Sequence, residues 1–105
     1  MAGHKEDLKS VFVTGGGHLE EVLYHTVYGE GTLDRHGFAV AIVRPYGDGH
    51  RRRVAMRWCE QPNRKLGFPQ SSARSAWFEV PEWMESAILS AAARQNSREI
   101  EEEVL

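Results

Sequence analysis

Apolar residues in this chain come in short runs broken by glycine, proline and charge until residue 81, and only then settle into a helical period. The first run, Val11-Phe12-Val13-Thr14, is β-branched and aromatic, which predicts a strand stopped by Gly15-Gly16-Gly17. Residues 18–28 carry two periods at once. Leu19, Val22, Leu23 and Val27 stand at helical spacing with Gly29 as a stop, whereas Val22, Tyr24, Thr26 and Tyr28 alternate. The β-branched and aromatic second half favours a strand. Residues 29–37 are turn-rich. Residues 38–43 form an unbroken apolar run, too short for a typical helix and closed by Pro45, so a second strand is expected there. Tyr46-Gly47-Asp48-Gly49 supplies turn chemistry. Residues 53–59 then alternate, Val54, Met56 and Trp58 against Arg53, Ala55 and Arg57. This pattern predicts a hairpin with Trp58 on its core-facing side.

Residues 61–73, with Pro62, Gly67, Pro69 and paired serines, read as a long loop or hairpin tip. Residues 76–80 form a short strand. Within it Trp77 and Phe78 must point to opposite faces. Pro81 suits the first turn of a helix running to about Gln95, with acids at its start to complement the dipole. Its apolar stripe of Met84, Ala87, Ile88, Ala91 and Ala92 is narrow, because alanine predominates, and small residues allow close approach of another helix or the sheet. The expected architecture is α+β: a small, mostly antiparallel, twisted sheet of about four to five strands followed by a C-terminal helix. Residues 1–105 make one domain, with residues 1–8 flexible and residues 99–105 an acidic tail or a helix extension. One helix does not cover such a sheet, and a homodimer is the expected remedy.

Composition narrows the setting without naming a reaction. No apolar stretch approaches the roughly 20 residues that span a membrane, the polar start does not read as a secretory signal, and a single cysteine, Cys59, forms no internal disulfide. The expected location is cytoplasmic. His4, His18, His25, His36, His50 and Cys59 lack metal-site spacing, and the glycines after Thr14 lack the Lys-Ser/Thr or GxGxxG that phosphate loops require. No metal, cofactor or catalytic signature is read.

Charge changes the picture more. The net −2 divides into −4 over residues 1–34, +7 over residues 35–74 and −5 over residues 75–105. Local charge governs phosphate binding, and guanidinium groups both grip phosphate and stack on bases. The expected function is therefore nucleic-acid binding, single-stranded DNA or RNA before duplex. Its contacts are expected from Arg51, Arg52, Arg53, Arg57, Arg64, Lys65 and Arg74, with Phe68 or Trp77 stacking. The alternative is a protein-interaction or self-association module whose basic surface meets an acidic partner, or a face that pairs with the chain's own acidic flanks.

The last third, from Gly67-Phe68 through Ala76-Trp77-Phe78-Glu79-Val80-Pro81-Glu82-Trp83 to Ile88-Leu89, resembles the strand–helix end of the transcriptional positive-cofactor and Whirly-type single-stranded-DNA-binding fold. The resemblance spans residues 38–95. It implies a strongly twisted four-stranded sheet, a helix-mediated dimer and DNA lying across β-ribbons. A Gly-Ile-Ser-Leu-like strand of that family is replaced here by Trp77-Phe78-Glu79-Val80, so individual DNA contacts do not transfer.

Overall fold

The computed structural model describes residues 7–26, 37–47, 51–59, 65–71 and 74–104, the last by backbone alone beyond Ser97. Four strands, β1 (His18–His25), β2 (Phe38–Arg44), β3 (Arg53–Trp58) and, later in the chain, Phe78–Glu79, form an antiparallel sheet. Between the third and fourth strands of that sheet a small hairpin is inserted, β4 (Gln70–Ser71) with β5 (Arg74–Ser75), which makes Phe78–Glu79 β6. The sheet order is β1-β2-β3-β6. A 3-10 turn at Glu82–Met84 then leads into the helix α1 (Glu85–Val104). The expected α+β class, the antiparallel sheet and the C-terminal helix are all present, and backbone helix continues through the acidic residues to Val104.

Two local differences have physical causes. Residues 11–14 are not a regular strand: Phe12 makes one parallel bridge to Ala76, accepting from the Trp77 N–H (3.1 Å) and donating to the Ser75 carbonyl (2.8 Å). A 3-10 turn at Thr14–Gly16 follows, because Gly15 and Gly16 take positive φ. Asp7 caps a 3-10 turn at Leu8–Ser10 and Leu8 is buried. The mixed periodicity of residues 18–28 also has a cause. Register shifts in β1 between Leu19 and Glu21, and between Val22 and Tyr24, are bulges that break strict alternation. Residues 27–28 lie outside the described residues.

One face of the sheet is covered by N-terminal residues and Trp77, the other in part by α1. Ala39, Ala41, Val43 and Ala55 point to a layer made by Leu8, Val11, Val13 and Trp77. Val40, Ile42, Val54 and Tyr24 point to α1, meeting Met84, Ile88 and Ala92 at i, i+4 and i+8. Burial of the first face explains why β3 alternates between apolar residues and Arg-Ala-Arg, rather than between apolar residues and a freely solvated set.

α1 crosses its face obliquely. At its start Glu85 meets the Arg53 Nε at 3.4 Å on β3, and near its middle the Asn96 amide donates to the Leu23 carbonyl at 2.7 Å on β1. That second bond satisfies a carbonyl beside the bulge. No helix among the described residues is long and apolar enough to cross a membrane.

Candidate functional site: an aromatic face and a paired arginine block

The oblique helix leaves the β3–β6 corner of its own face uncovered. In antiparallel pairs, directly opposed residues share a face. Phe38 opposes Trp58, Trp58 opposes Phe68 in an isolated bridge, and Phe78 opposes Met56, which opposes Val40. Two rows of large apolar side chains therefore lie side by side. Phe38 packs edge-on against Trp58, with ring centroids 4.7 Å apart. Trp58 is 43% exposed, Phe68 54% and Phe78 49%. Where α1 lifts from the sheet, an apolar groove of about 290 Å³ opens, floored by Tyr24, Phe38, Val40 and Met56 and walled by Ile88, Ala91, Ala92 and Gln95. Phe38 and Met56 join groove and aromatic rows into one surface.

Phe68 is held in this row from beneath. Trp58 and Phe68 exchange backbone hydrogen bonds at 2.8 and 2.9 Å. Arg57, the neighbour of Trp58 on β3, points to the opposite face and is only 1% exposed. Its Nη1 donates to the Pro69 carbonyl at 3.2 Å and to the Ala76 carbonyl, and its Nη2 donates to the Leu66 carbonyl. One planar fork thus ties three points of the 66–76 segment to β3.

Four other arginines of the basic block, Arg44, Arg51, Arg52 and Arg53, are paired with carboxylates near the surface. Arg51 meets Glu82 at 2.5 Å, Arg52 meets Glu20 at 2.8 Å, and Arg44 also meets Glu20. Arg53 donates to the Val80 carbonyl at 2.8 Å and pairs with Glu85. Glu20 comes from the acidic first third, and Glu82 and Glu85 from the acidic last third. The fold closes the charge block onto its own flanks. Exposed pairs of this kind add little stability, but they weaken the local field on which phosphate attraction depends.

The expected contact residues therefore divide into four groups. Arg51, Arg52 and Arg53 stand along one end of β3 in ion pairs, and Arg57 is interior. Lys65 and Phe68 are exposed, Arg74 is exposed with its guanidinium 4.7 Å over the Phe12 ring, and Arg64 lies outside the described residues. Trp77 is 6% exposed and packs in the core, so it is not a surface for stacking. Trp58, expected in the core, is the tryptophan of the exposed row. The alternation assigned its face correctly, but strand β3 runs out from under α1 before reaching it. Phe78 was the missed residue. Its signal was Trp77-Phe78 itself, since only one of two adjacent strand aromatics can enter the core. Among the described residues no three His, Cys, Asp or Glu side chains gather as a metal site would require.

The hydrogen bond from Arg44 holds the Glu20 carboxyl below the ordinary carboxylate range; partial desolvation opposes this, and the charges of Arg44 and Arg52 reinforce it. A depressed folded-state value stabilises the fold above the ordinary value of 4.5 and loses that contribution as pH falls through the lower, folded one. Thermal melts of wild type and Glu20→Gln should therefore differ most near neutrality and converge as pH drops below 4.5. A constant gap across that range would show that Glu20 does not carry the effect.

Comparison with family models, curated proteins and solved structures finds no significant match to this chain.

Proposed function

We propose that this chain is a protein-interaction domain that contacts its partner through the Trp58–Phe68–Phe78 face and the adjoining groove. One observation carries the reading: three half-exposed aromatic rings form a continuous patch with an apolar groove, while Arg44, Arg51, Arg52 and Arg53 are drawn into ion pairs with three carboxylates. Exposed contiguous apolar surface marks interaction sites, and aromatic anchors dominate the energetics of protein interfaces. The sheet edges are less suited to the task. β1 is interrupted by bulges and by the Asn96 contact, and β6 is two residues long with Pro81 soon after.

Single-stranded nucleic acid is the second reading, favoured by exposed Phe68 standing three residues from exposed Lys65, a ring for a base beside a charge for a phosphate. The two readings separate cleanly. A photo-crosslinking phenylalanine analogue at position 78 should yield protein adducts in cells, and the same analogue at Tyr46, also exposed but at the far end of β2, should not. Labelled oligonucleotides should show no salt-sensitive anisotropy change. Nucleic-acid adducts at position 78, or tight oligonucleotide binding that weakens steeply with salt, would overturn the protein reading.

A further inference from the structure

We infer that the groove between α1 and the sheet binds a free medium-chain aliphatic carboxylate, its alkyl chain along the groove and its head group at Arg94 and Gln95. Such a site goes beyond the protein-interaction reading, since it uses the groove alone and stands whether or not the exposed rings meet a partner.

The shape of the groove selects a chain. Its volume is about 290 Å³, yet at its floor Tyr24 and Val40 are each only 5% exposed. Space of that size over so closed a floor is a narrow slot. It suits an unbranched chain, whereas a helix about 10 Å across has no room there. Ala91 and Ala92 line one wall and stop at Cβ, leaving open what a larger side chain would fill. Apart from the Gln95 amide and the Tyr24 hydroxyl, the lining is aliphatic, aromatic or thioether. Water held against such walls finds few hydrogen-bond partners, and a chain that displaces it gains from burial. A methylene takes about as much space as a water, roughly 30 Å³, so the groove holds about ten carbons.

Charge selects the head group. The sheet residues that line the groove, Tyr24, Phe38, Val40 and Met56, are uncharged. Among the described side chains of α1 only Glu85 and Arg94 carry charge, and Glu85 is engaged with Arg53 at the start of the helix. Arg94 is exposed, follows Ala91 by one turn and adjoins Gln95, both of which line the groove. The charge at the rim on this side is therefore a guanidinium. It grips a carboxylate through paired N–H donors, with the half-buried Gln95 amide beside it. An alkylammonium of the same length would bring a like charge to the same rim and be repelled.

Isothermal titration calorimetry on the full chain, with alkanoates from hexanoate to dodecanoate kept below their micelle-forming concentrations, reads both features. Affinity should rise about threefold to fourfold with each added methylene up to about ten carbons and then level off. For decanoate the dissociation constant should be on the order of 100 µM. Decylamine should bind at least about tenfold more weakly. Ala91→Phe puts a ring into the slot and should remove detectable binding, with far-UV circular dichroism unchanged. Arg94→Glu, on the solvent side of α1, should weaken decanoate at least about tenfold and reverse the preference between the two head groups. Tyr46→Ser, at the far end of β2, should change neither. Absence of saturable binding by decanoate would overturn the inference, as would an affinity that keeps climbing past ten carbons or survives both Ala91→Phe and Arg94→Glu. Equal affinity for decylamine and decanoate would overturn it too. These titrations are independent of the crosslinks from position 78, so the groove ligand and the interaction reading can fail separately.

Discussion

Arg57→Met is expected to destabilise the domain by about 3–5 kcal/mol, the combined cost of several buried carbonyls left without their donor. The substitution keeps the apolar length of the side chain, so little of the loss comes from packing. It removes the donors that satisfy the carbonyls of Leu66, Pro69 and Ala76. Each buried carbonyl left without a partner costs about 1–3 kcal/mol, and the Ala76 bond lies deepest. For a domain of 105 residues this is a large share of a total stability of about 5–15 kcal/mol. The melting temperature should fall by about 15–30 °C. Arg57→Lys retains the charge but reaches only part of the carbonyl cage, so it should recover less than half of the loss. Urea unfolding followed by circular dichroism measures both. A loss under about 1 kcal/mol for Arg57→Met would show that the 66–76 segment is held by other contacts.

The same substitution carries a functional consequence. Phe68 sits in the aromatic row because the segment that bears it is fastened to β3 from the far face. Arg57 points to the face opposite the aromatic row, yet it fixes the ring next to Trp58. Amide exchange at Phe68 and Trp58 should accelerate in Arg57→Met by more than the global loss of stability requires, since the bridge between those two residues opens first.

Much of this fold could be read from local pattern. The unbroken run of residues 38–43 and the alternation of residues 53–59 define a hairpin because both strands are long and regular, and β2 and β3 pair residue for residue. Pro81 and the acids after it mark the helix start. The candidate site was legible only in part. Arginines in β3 read as one exposed face, because alternation reports which side a residue takes and not what covers that side. Ala55, fully buried between Arg53 and Arg57, was the sign that this second face is covered too. Pairing of Arg51, Arg52 and Arg53 with Glu82, Glu20 and Glu85 joins residues far apart in the chain, so only the three-dimensional arrangement shows that part of the +7 block is offset locally. Trp58 and Trp77 exchanged places for two reasons, both of tertiary packing: the path of α1 leaves the end of β3 that carries Trp58 open, and Trp77 enters the layer of Leu8, Val11 and Val13 on the opposite face.

Gly67→Ala should be nearly as damaging as the loss of Arg57, and for a connected reason. Gly67 has φ +64°, a left-handed conformation that is unfavourable for alanine by about 1–2 kcal/mol. The added Cβ would also overlap the Trp58 carbonyl oxygen and Arg57 Nη2 and lie 2.9 Å from the Cys59 carbonyl carbon. Two of these three neighbours are backbone of β3 and its end, which cannot move aside without breaking the Trp58–Phe68 bridge. A total cost of about 2–4 kcal/mol follows from the conformational and steric parts together. Gly47→Ala makes the control. Its φ is +95°, but nothing lies within 4 Å of the added carbon, so only the conformational part applies. The decisive measurement is a double-mutant cycle. Arg57→Met and Gly67→Ala both release the segment that carries Phe68, and a latch already open cannot be opened again. The double variant should therefore lose at least about 1 kcal/mol less than the two single losses added together. Strict additivity would mean that the two residues hold separate parts of the structure.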